Sequence, residues 1–198
     1  MTQLSKLERV PLREAWKHEA QDFTPWLAQA ENMKELASVL SLDDLEVIAT
    51  EHFVGDFKLD ILCADGEEQV IIENQLERTN HSHLGQILTY AAGVNAKKVI
   101  WVAESFRTEH IAALNYLNLY TTEEVGFFAV EIELWRIGAS PFAPKFNVVC
   151  QPQTWAKAGR EQARVASSSS PVKQLQLRFW TGLNEYLEKN KSTVRPQA

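Results

Sequence analysis

The sequence predicts a mixed α/β domain, a central sheet flanked by helices on both faces. Three observations predict it. First, a helical stripe (Met33, Leu36, Ala37 and Leu40, within Glu31–Leu40) is followed by three strand-like runs. These are Leu45–Phe53, Phe57–Ala64 and Gln69–Gln75, separated by the turn pairs Gly55-Asp56 and Asp65-Gly66. Second, Lys98–Ala103 is short and almost continuously apolar, the pattern of a buried and parallel strand. Third, helical patterns at His83–Val94 and Thr108–Leu119 flank that strand, and Phe127–Trp135 and Phe146–Cys150 add two more strands. Thr24-Pro25 is a reasonable helix start upstream of the first stripe.

Length and composition bound the rest. A chain of 198 residues with 45% hydrophobic content can bury a real core and suggests one domain with an appendage. Residues 1–155 form that domain, 156–171 a linker containing the Ser167–Ser170 run, and 172–198 an amphipathic helix. Val172, Leu175, Phe179, Leu183 and Tyr186 make its apolar stripe, which must dock on the core or in a homodimer, and Trp180 belongs to the docking side. Cys63 and Cys150 form no CxxC pair and read as reduced, buried thiols of a cytoplasmic protein. The polar N-terminus has no signal-peptide core, and no apolar run approaches the roughly 20 residues of a membrane span. Net charge is −6, but residues 154–198 carry 8 Lys/Arg against 3 Asp/Glu. That asymmetry reads either as a basic tail for a polyanion or as a solvated tail. Dinucleotide, P-loop, serine-hydrolase and zinc-protease motifs are absent from the sequence.

The stretch FKLDILCADGEEQVIIENQL, Phe57–Leu76, sets an acid into each of two apolar runs. Strand alternation puts Asp60 with Leu62 on one face, and Leu59, Ile61 and Cys63 on the other. In the next strand Ile71, Glu73 and Gln75 share a face, opposite Val70, Ile72 and Asn74. The hairpin brings Asp60 and Glu73 to adjacent strands. Two carboxylates that lose water together are costly, and each raises the other's pKa. A divalent cation, Mg²⁺ or Mn²⁺, resolves both problems; a lysine or arginine partner, or solvated strand ends, would resolve them too. The Gln75 amide can hold a water or a phosphate oxygen. In HSHLGQILTY, His83, Gln86 and Tyr90 form one polar stripe and Leu84, Leu88 and Ala91 an apolar one. The polar stripe reads as a phosphate-contacting wall or as an ordinary solvated face. Trp101 and Trp135 read as packing residues.

Asp60, Glu73-Asn74-Gln75 and the Gln86-to-Tyr90 stretch together resemble the PD-(D/E)xK nuclease superfamily, the restriction-endonuclease-like fold. Its αβββαβ core order matches the elements from about residue 26 to 103. The QxxxY spacing on the helix after the motif strand is similar to that of RecB-type nucleases. ENQLERTNHSHLGQILTYAAG also resembles a bacterial family in which such an N-terminal domain precedes a second domain. The linker and helix after Ser167 resemble the start of that second domain.

The resemblance, over roughly residues 25–188, implies Mg²⁺- or Mn²⁺-dependent hydrolysis of phosphodiester bonds in nucleic acid, with DNA the first expectation. It implies that Asp60, Glu73 and the Asn74 backbone carbonyl hold metal. Gln75 would orient water as a third catalytic residue, and His81, His83, Gln86 and Tyr90 would contact substrate or support the site. Glu35 would be a further metal ligand on the first helix, with Glu51 and His52 as candidates of similar weight. Two departures stand out. Gln75 replaces the family's lysine, and Leu59 stands where the pattern has proline. A catalytically inactive module that keeps the fold and binds nucleic acid or a protein partner is the alternative. An assembly role for the C-terminal helix is a third reading.

Overall fold

The computed structural model describes residues 4–122, 124–153 and 179. The chain divides into two units, Met1–Ala156 and Lys157–Ala198; the expected linker, the C-terminal helix and Trp180 lie outside the described residues. In chain order the first unit contains β1 (Leu7–Val10), α1 (Thr24–Leu27), α2 (Ala30–Leu40), β2 (Glu46–Val54), β3 (Phe57–Asp65) and β4 (Glu68–Arg78). These are followed by α3 (His81–Gly93), β5 (Lys98–Ser105), α4 (Thr108–Tyr120), β6 (Gly126–Ile137) and β7 (Ala143–Cys150). Seven strands form one mixed sheet in the order β1-β6-β5-β4-β3-β2, with β7 also pairing β6. β4, β5 and β6 run parallel, and the other neighbours are antiparallel. The stretch from α2 to β5 reproduces the αβββαβ order. No helix among the described residues is long and apolar enough to cross a membrane.

The two parallel crossovers put α3 and α4 on one face of the sheet. There Ile87, Tyr90 and Leu114 pack with Leu59, Leu62, Ile71, Val99, Trp101 and Phe127. The other face is covered by α2, through Met33, Leu36, Ala37 and Leu40, and by the N-terminal segment. β4 and β5 are therefore covered on both sides, which explains their near-continuous apolar runs. α2 stops where Ser41 turns left-handed, at φ 57°.

Three local expectations change. Asp65 pairs with Glu68, so the β3–β4 turn is Gly66-Glu67, one residue later than Asp65-Gly66. Gly66 supplies the positive φ, +61°, that the first turn position takes here. The shift matters, because the earlier turn would set Asp60 against Ile71. In the observed register Ile61 faces Ile72, which ends the ladder with Asp60 beside Glu73 and its carboxylate on the Asn74 N–H. Leu59 packs with Leu62 and Ile71 rather than with Ile61 and Cys63, because β3 leaves its ladder with β4 below Ile61 and the alternation breaks there. On α3 the helix buries Ile87 and Tyr90, whereas Leu88 is exposed. Leu84 and Ala91 pack against the sheet as expected, and of the polar stripe Tyr90 is buried while His83 and Gln86 are half-buried.

Residues 4–28 are organised more than their sequence suggests. β1 pairs with Leu134–Ile137, on the β6 edge that β5 vacates after Glu131. A short 3-10 turn (Leu12–Glu14) and a π-type turn (Glu19–Phe23) then lead into α1. The Asp22 carboxylate accepts the backbone N–H groups of Lys17 at 2.9 Å and His18 at 2.8 Å, tying down the start of the π turn. Trp16 meets Phe23 edge-on at 4.9 Å and Trp26 at 4.5 Å. Both cysteines are free and buried, and burial pushes the Cys63 thiol up to about 12 and the Cys150 thiol up to about 11. They are unreactive packing groups.

Because Trp16 is buried among Leu12, Phe23 and Trp26, Trp16→Ala is expected to cost about 3–5 kcal/mol. Urea unfolding of the full chain measures it. A loss below about 1 kcal/mol would mean that the segment packs without supporting the core.

Candidate active site

The site forms where β3 and β4 part. The last pair of their ladder is Ile61 with Ile72. Beyond it the Asn74 N–H lacks a strand partner, and the Asp60 carboxylate accepts it at 2.7 Å. The Asp60 N–H in turn serves the Glu73 carboxylate. The two acids are thus exchanged across the split, each accepting from the other strand's backbone.

Their electrostatics are severe. Glu73 is 3% exposed. Burial first, then the negative charge of Asp60, pushes its pKa up to about 9, against the Asp60 N–H bond that lowers it. Asp60 is pushed up to about 7, by burial first and then by Glu51 and Glu19, with the Asn74 N–H pulling the other way. Glu73 Oε2 is buried and has no hydrogen-bond partner.

Two further acids act on the pair. Glu19 arrives on the π turn and is held by Arg13 at 3.5 Å. Glu51 projects from β2 at a left-handed φ of 51°, a conformation that disfavours a side chain and here re-aims one. Its Oε2 lies 3.6 Å from Lys58 and its Oε1 is buried without a partner. Among the described residues no cation pairs with Asp60 or Glu73.

Gln75, two residues along β4, is 2% exposed. Its Nε2 donates to the Arg78 carbonyl at 3.1 Å, leaving Oε1 buried and unpartnered. The Asn74 side chain points to the other face and donates to Thr24 Oγ1 at 3.0 Å, tying α1 to β4. From α3, the Tyr90 hydroxyl donates to the Lys58 carbonyl at 2.7 Å and hydrogen-bonds Gln86. Burial, then Glu73 and Asp60, raise the tyrosine pKa. Gln86 Oε1 is a further buried acceptor without a partner. His83 lies over Trp101, with ring centroids 6.5 Å apart and planes 14° apart, and Trp101 is the β5 neighbour of Glu73. Burial lowers the His83 pKa, and Asn80 Oδ1 faces its Nδ1 at 3.0 Å.

Asp60, Glu73 and Gln75 at the strand split thus meet Gln86 and Tyr90 from the middle and later turns of α3, with His83 alongside over Trp101. His81 turns instead toward His110, 3.2 Å away. Glu35 is exposed on α2, whose buried side packs on the opposite sheet face. His52 stands opposite Leu59 on β2. The acid that a helical turn does bring within electrostatic reach is Glu19, which the sequence reading did not single out. Its one sequence signal was the Glu19–Asp22 acid pair before Thr24-Pro25, which reads as ordinary helix-start chemistry.

The donor set admits one kind of metal site. No group of three or more His, Cys, Asp or Glu side chains among the described residues could hold an ion by itself. A closed zinc cage or a calcium loop does not fit that arrangement. Two carboxylates with unpartnered oxygens nearby fit a Mg²⁺-type ion, which keeps waters and takes substrate oxygens.

No protein-family model and no curated protein matches the chain. Among solved structures, a repair endonuclease from Pyrococcus abyssi aligns with a TM-score of 0.38 and 16% identity. The alignment covers 50% of this chain and 46% of the endonuclease, so less than half of that protein's length is matched.

Both acid pKa values are raised on folding, so the folded chain holds protons that the unfolded chain releases. The stability this pair contributes is full below the ordinary values of 3.8 and 4.5 and is lost as pH rises through about 7 and about 9. Metal-free protein is expected to lose urea stability between pH 5 and pH 9 more steeply than an Asp60→Asn/Glu73→Gln double variant. Parallel curves for the two proteins would show that the pair does not titrate as its burial demands.

Proposed function

We propose that the protein is a metal-dependent nuclease that hydrolyses phosphodiester bonds, with DNA as the first substrate to test. The observation that carries the reading is the pair of buried carboxylates at the strand split, which has raised pKa values and no protein cation on it. Asp60 and Glu73 would hold Mg²⁺ or Mn²⁺, with the Asn74 backbone carbonyl as a further oxygen. The bound ion would supply Lewis-acid stabilisation of phosphoryl charge and a lowered pKa for an attacking water.

The chain's own groups would do the positioning. The free Oε1 of Gln75 would accept a hydrogen bond from a water and so orient it. The hydrogen bond from Gln75 to the Arg78 carbonyl locks the rotamer that makes this possible. Gln86 and Tyr90 brace the β3 backbone before Asp60, through the Lys58 carbonyl. His83, held below its ordinary pKa, presents a neutral ring beside the site. Glu19 and Glu51 act electrostatically on the pair and would add negative charge around an ion held there.

A second reading draws on the same Gln75. An amide tethered to the strand end carries no charge and transfers no proton, which suits a non-catalytic module that binds nucleic acid or a protein partner. Incubation with linear, circular and single-stranded DNA, in Mg²⁺, Mn²⁺ or EDTA, separates the two. Cleavage is expected with either metal, faster with Mn²⁺, and none in EDTA. Gln75→Ala is expected to raise the barrier by about 2–4 kcal/mol, as for removal of one positioning or charge-stabilising group. Gln75→Lys is expected to retain or raise activity. If no substrate form is cleaved by the wild type or by Gln75→Lys, the binding-module reading replaces the nuclease.

A further inference from the structure

The β4 strand runs past Glu73 to Arg78, and the chain then passes Thr79 and Asn80 into α3. A cavity of about 370 Å³ lies elsewhere, against the β3–β4 turn, and is lined by Glu67, Glu68 and Lys97 among others. A second, of about 330 Å³, is lined by Asn80, His81, Arg107, Glu109 and His110, where α3 and α4 both begin. The second one carries a directed set of donors.

Its floor is a hydrogen-bonded chain whose proton positions can be worked out. Thr79 is fully buried, and its Oγ1 accepts the Arg107 backbone N–H at 3.0 Å. The other partner of Oγ1 is His110 Nδ1, at 2.7 Å. A hydroxyl oxygen can accept twice, but His110 Nδ1 is the one acceptor within reach of the buried hydroxyl proton among the described residues, so the proton goes there and that nitrogen accepts. His110, 1% exposed, then carries its proton on Nε2 and donates to His81 Nδ1 at 3.2 Å. His81 must in turn carry its proton on Nε2, where no partner exists among the described residues. Burial, then His81 and Arg107, hold His110 below the ordinary histidine range, which keeps it neutral in this chain.

The Arg107 side chain is fixed in the same place. Its Nε donates to the Thr79 carbonyl at 3.0 Å, and its two terminal nitrogens have no partner among the described residues. The N-terminus of α4 has no side-chain cap, so its first N–H groups add partial positive charge to the same mouth. Glu109 is the one acid on the lining, and it is exposed. A fixed guanidinium and a fixed imidazole N–H, both unpartnered, match an anion with several acceptor oxygens better than a cation or an apolar group.

We propose that this cavity binds a phosphate group of the nucleic-acid strand beyond the carboxylate pair, gripped by Arg107 and the His81 Nε2–H, with Thr79 and His110 as positioning residues that set the His81 tautomer. The proposal rests on the nuclease reading for its substrate. The anion site itself stands on its own geometry.

The test uses the full chain with nitrogen-15-labelled histidine. Long-range proton–nitrogen spectra are expected to show His81 protonated on Nε2 and not on Nδ1; the opposite tautomer would overturn the relay. Titration with inorganic phosphate, against sodium chloride at equal ionic strength, is expected to shift the His81 and His110 signals saturably. Arg107→Gln, at an exposed residue, is expected to weaken that response at least about tenfold, the value of one charge-assisted hydrogen bond. His81→Gln is expected to weaken it as well. Equal shifts with chloride, or an unchanged response in Arg107→Gln, would overturn the site.

In EDTA, binding of a fluorescent oligonucleotide is expected to fall by a similar factor in Arg107→Gln. Unchanged oligonucleotide affinity alongside a phosphate response would overturn the nucleic-acid assignment. Glu73→Gln should leave the phosphate response intact. If wild-type protein cleaves nothing but still shows a response that Arg107→Gln loses, the nuclease reading fails and the anion site stands.

Discussion

One hydrogen bond organises the middle of this protein, the acceptance of the Asn74 N–H by the Asp60 carboxylate. β3 and β4 pair regularly from their turn to Ile61 and Ile72 and then stop. A buried backbone N–H left alone there would cost about 1–3 kcal/mol. The side chain that takes its place is ionisable, so the repair of the ladder brings a charge into the sheet. The Asp60 N–H facing Glu73 repeats the arrangement in the other direction. The parting of the strands and the meeting of the acids are therefore one feature, and the chemistry proposed for the site follows from how the sheet ends.

The opposite end of the same hairpin shows what a protein-only solution looks like. There Lys98, 4% exposed, reaches Asp65 at 2.8 Å and also contacts Glu68. Burial opposes its charge, but the two acids outweigh burial and raise its pKa. One ammonium between two carboxylates makes a buried charge tolerable. At Asp60 and Glu73 the same strands leave the acids without such a partner and place Glu19 and Glu51 nearby. The cations that accompany those outer acids, Arg13 and Lys58, lie at partly exposed positions, where an ion pair contributes about 0–1 kcal/mol. They do not neutralise the centre. An external cation, as proposed above, would stabilise the ionised pair near neutral pH.

The N-terminal segment makes this centre a product of the whole first unit. β1 anchors it on the far strand β6, and the Trp16, Phe23 and Trp26 rings seat it on the sheet. Asp22 ties down its π turn, which carries Glu19 toward the acids, and α1 ends the path with Thr24 bonded to Asn74. The side chain of Asn74 thus holds the covering layer while its backbone serves Asp60. Both faces of β4 are engaged at the same residue.

Much of this was legible in the sequence. Apolar runs and period-two and helical patterns placed α2, the strands β2 to β7, and α3 and α4 to within a few residues, because each element's covered faces set its pattern, one-sided for most and two-sided for β4 and β5. Asp60, Glu73, Gln75, Gln86 and Tyr90 were visible as polar residues interrupting apolar patterns, and the fold gathers them. β1 and the π turn were not legible, because Leu-Glu-Arg-Val has no alternation and its pairing partner is more than a hundred residues away. Glu35 and Glu19 show why a helical acid cannot be assigned from spacing alone. Both precede or lie in helical turns, but α2 directs Glu35 to solvent while the anchored N-terminal segment brings Glu19 to the pair. The register of the β3–β4 turn, the left-handed Glu51 and the contacts that link Thr79, His110 and His81 were decided only in the tertiary structure. Each depends on groups distant in sequence competing for the same hydrogen bond, and local pattern carries no information about which of them wins.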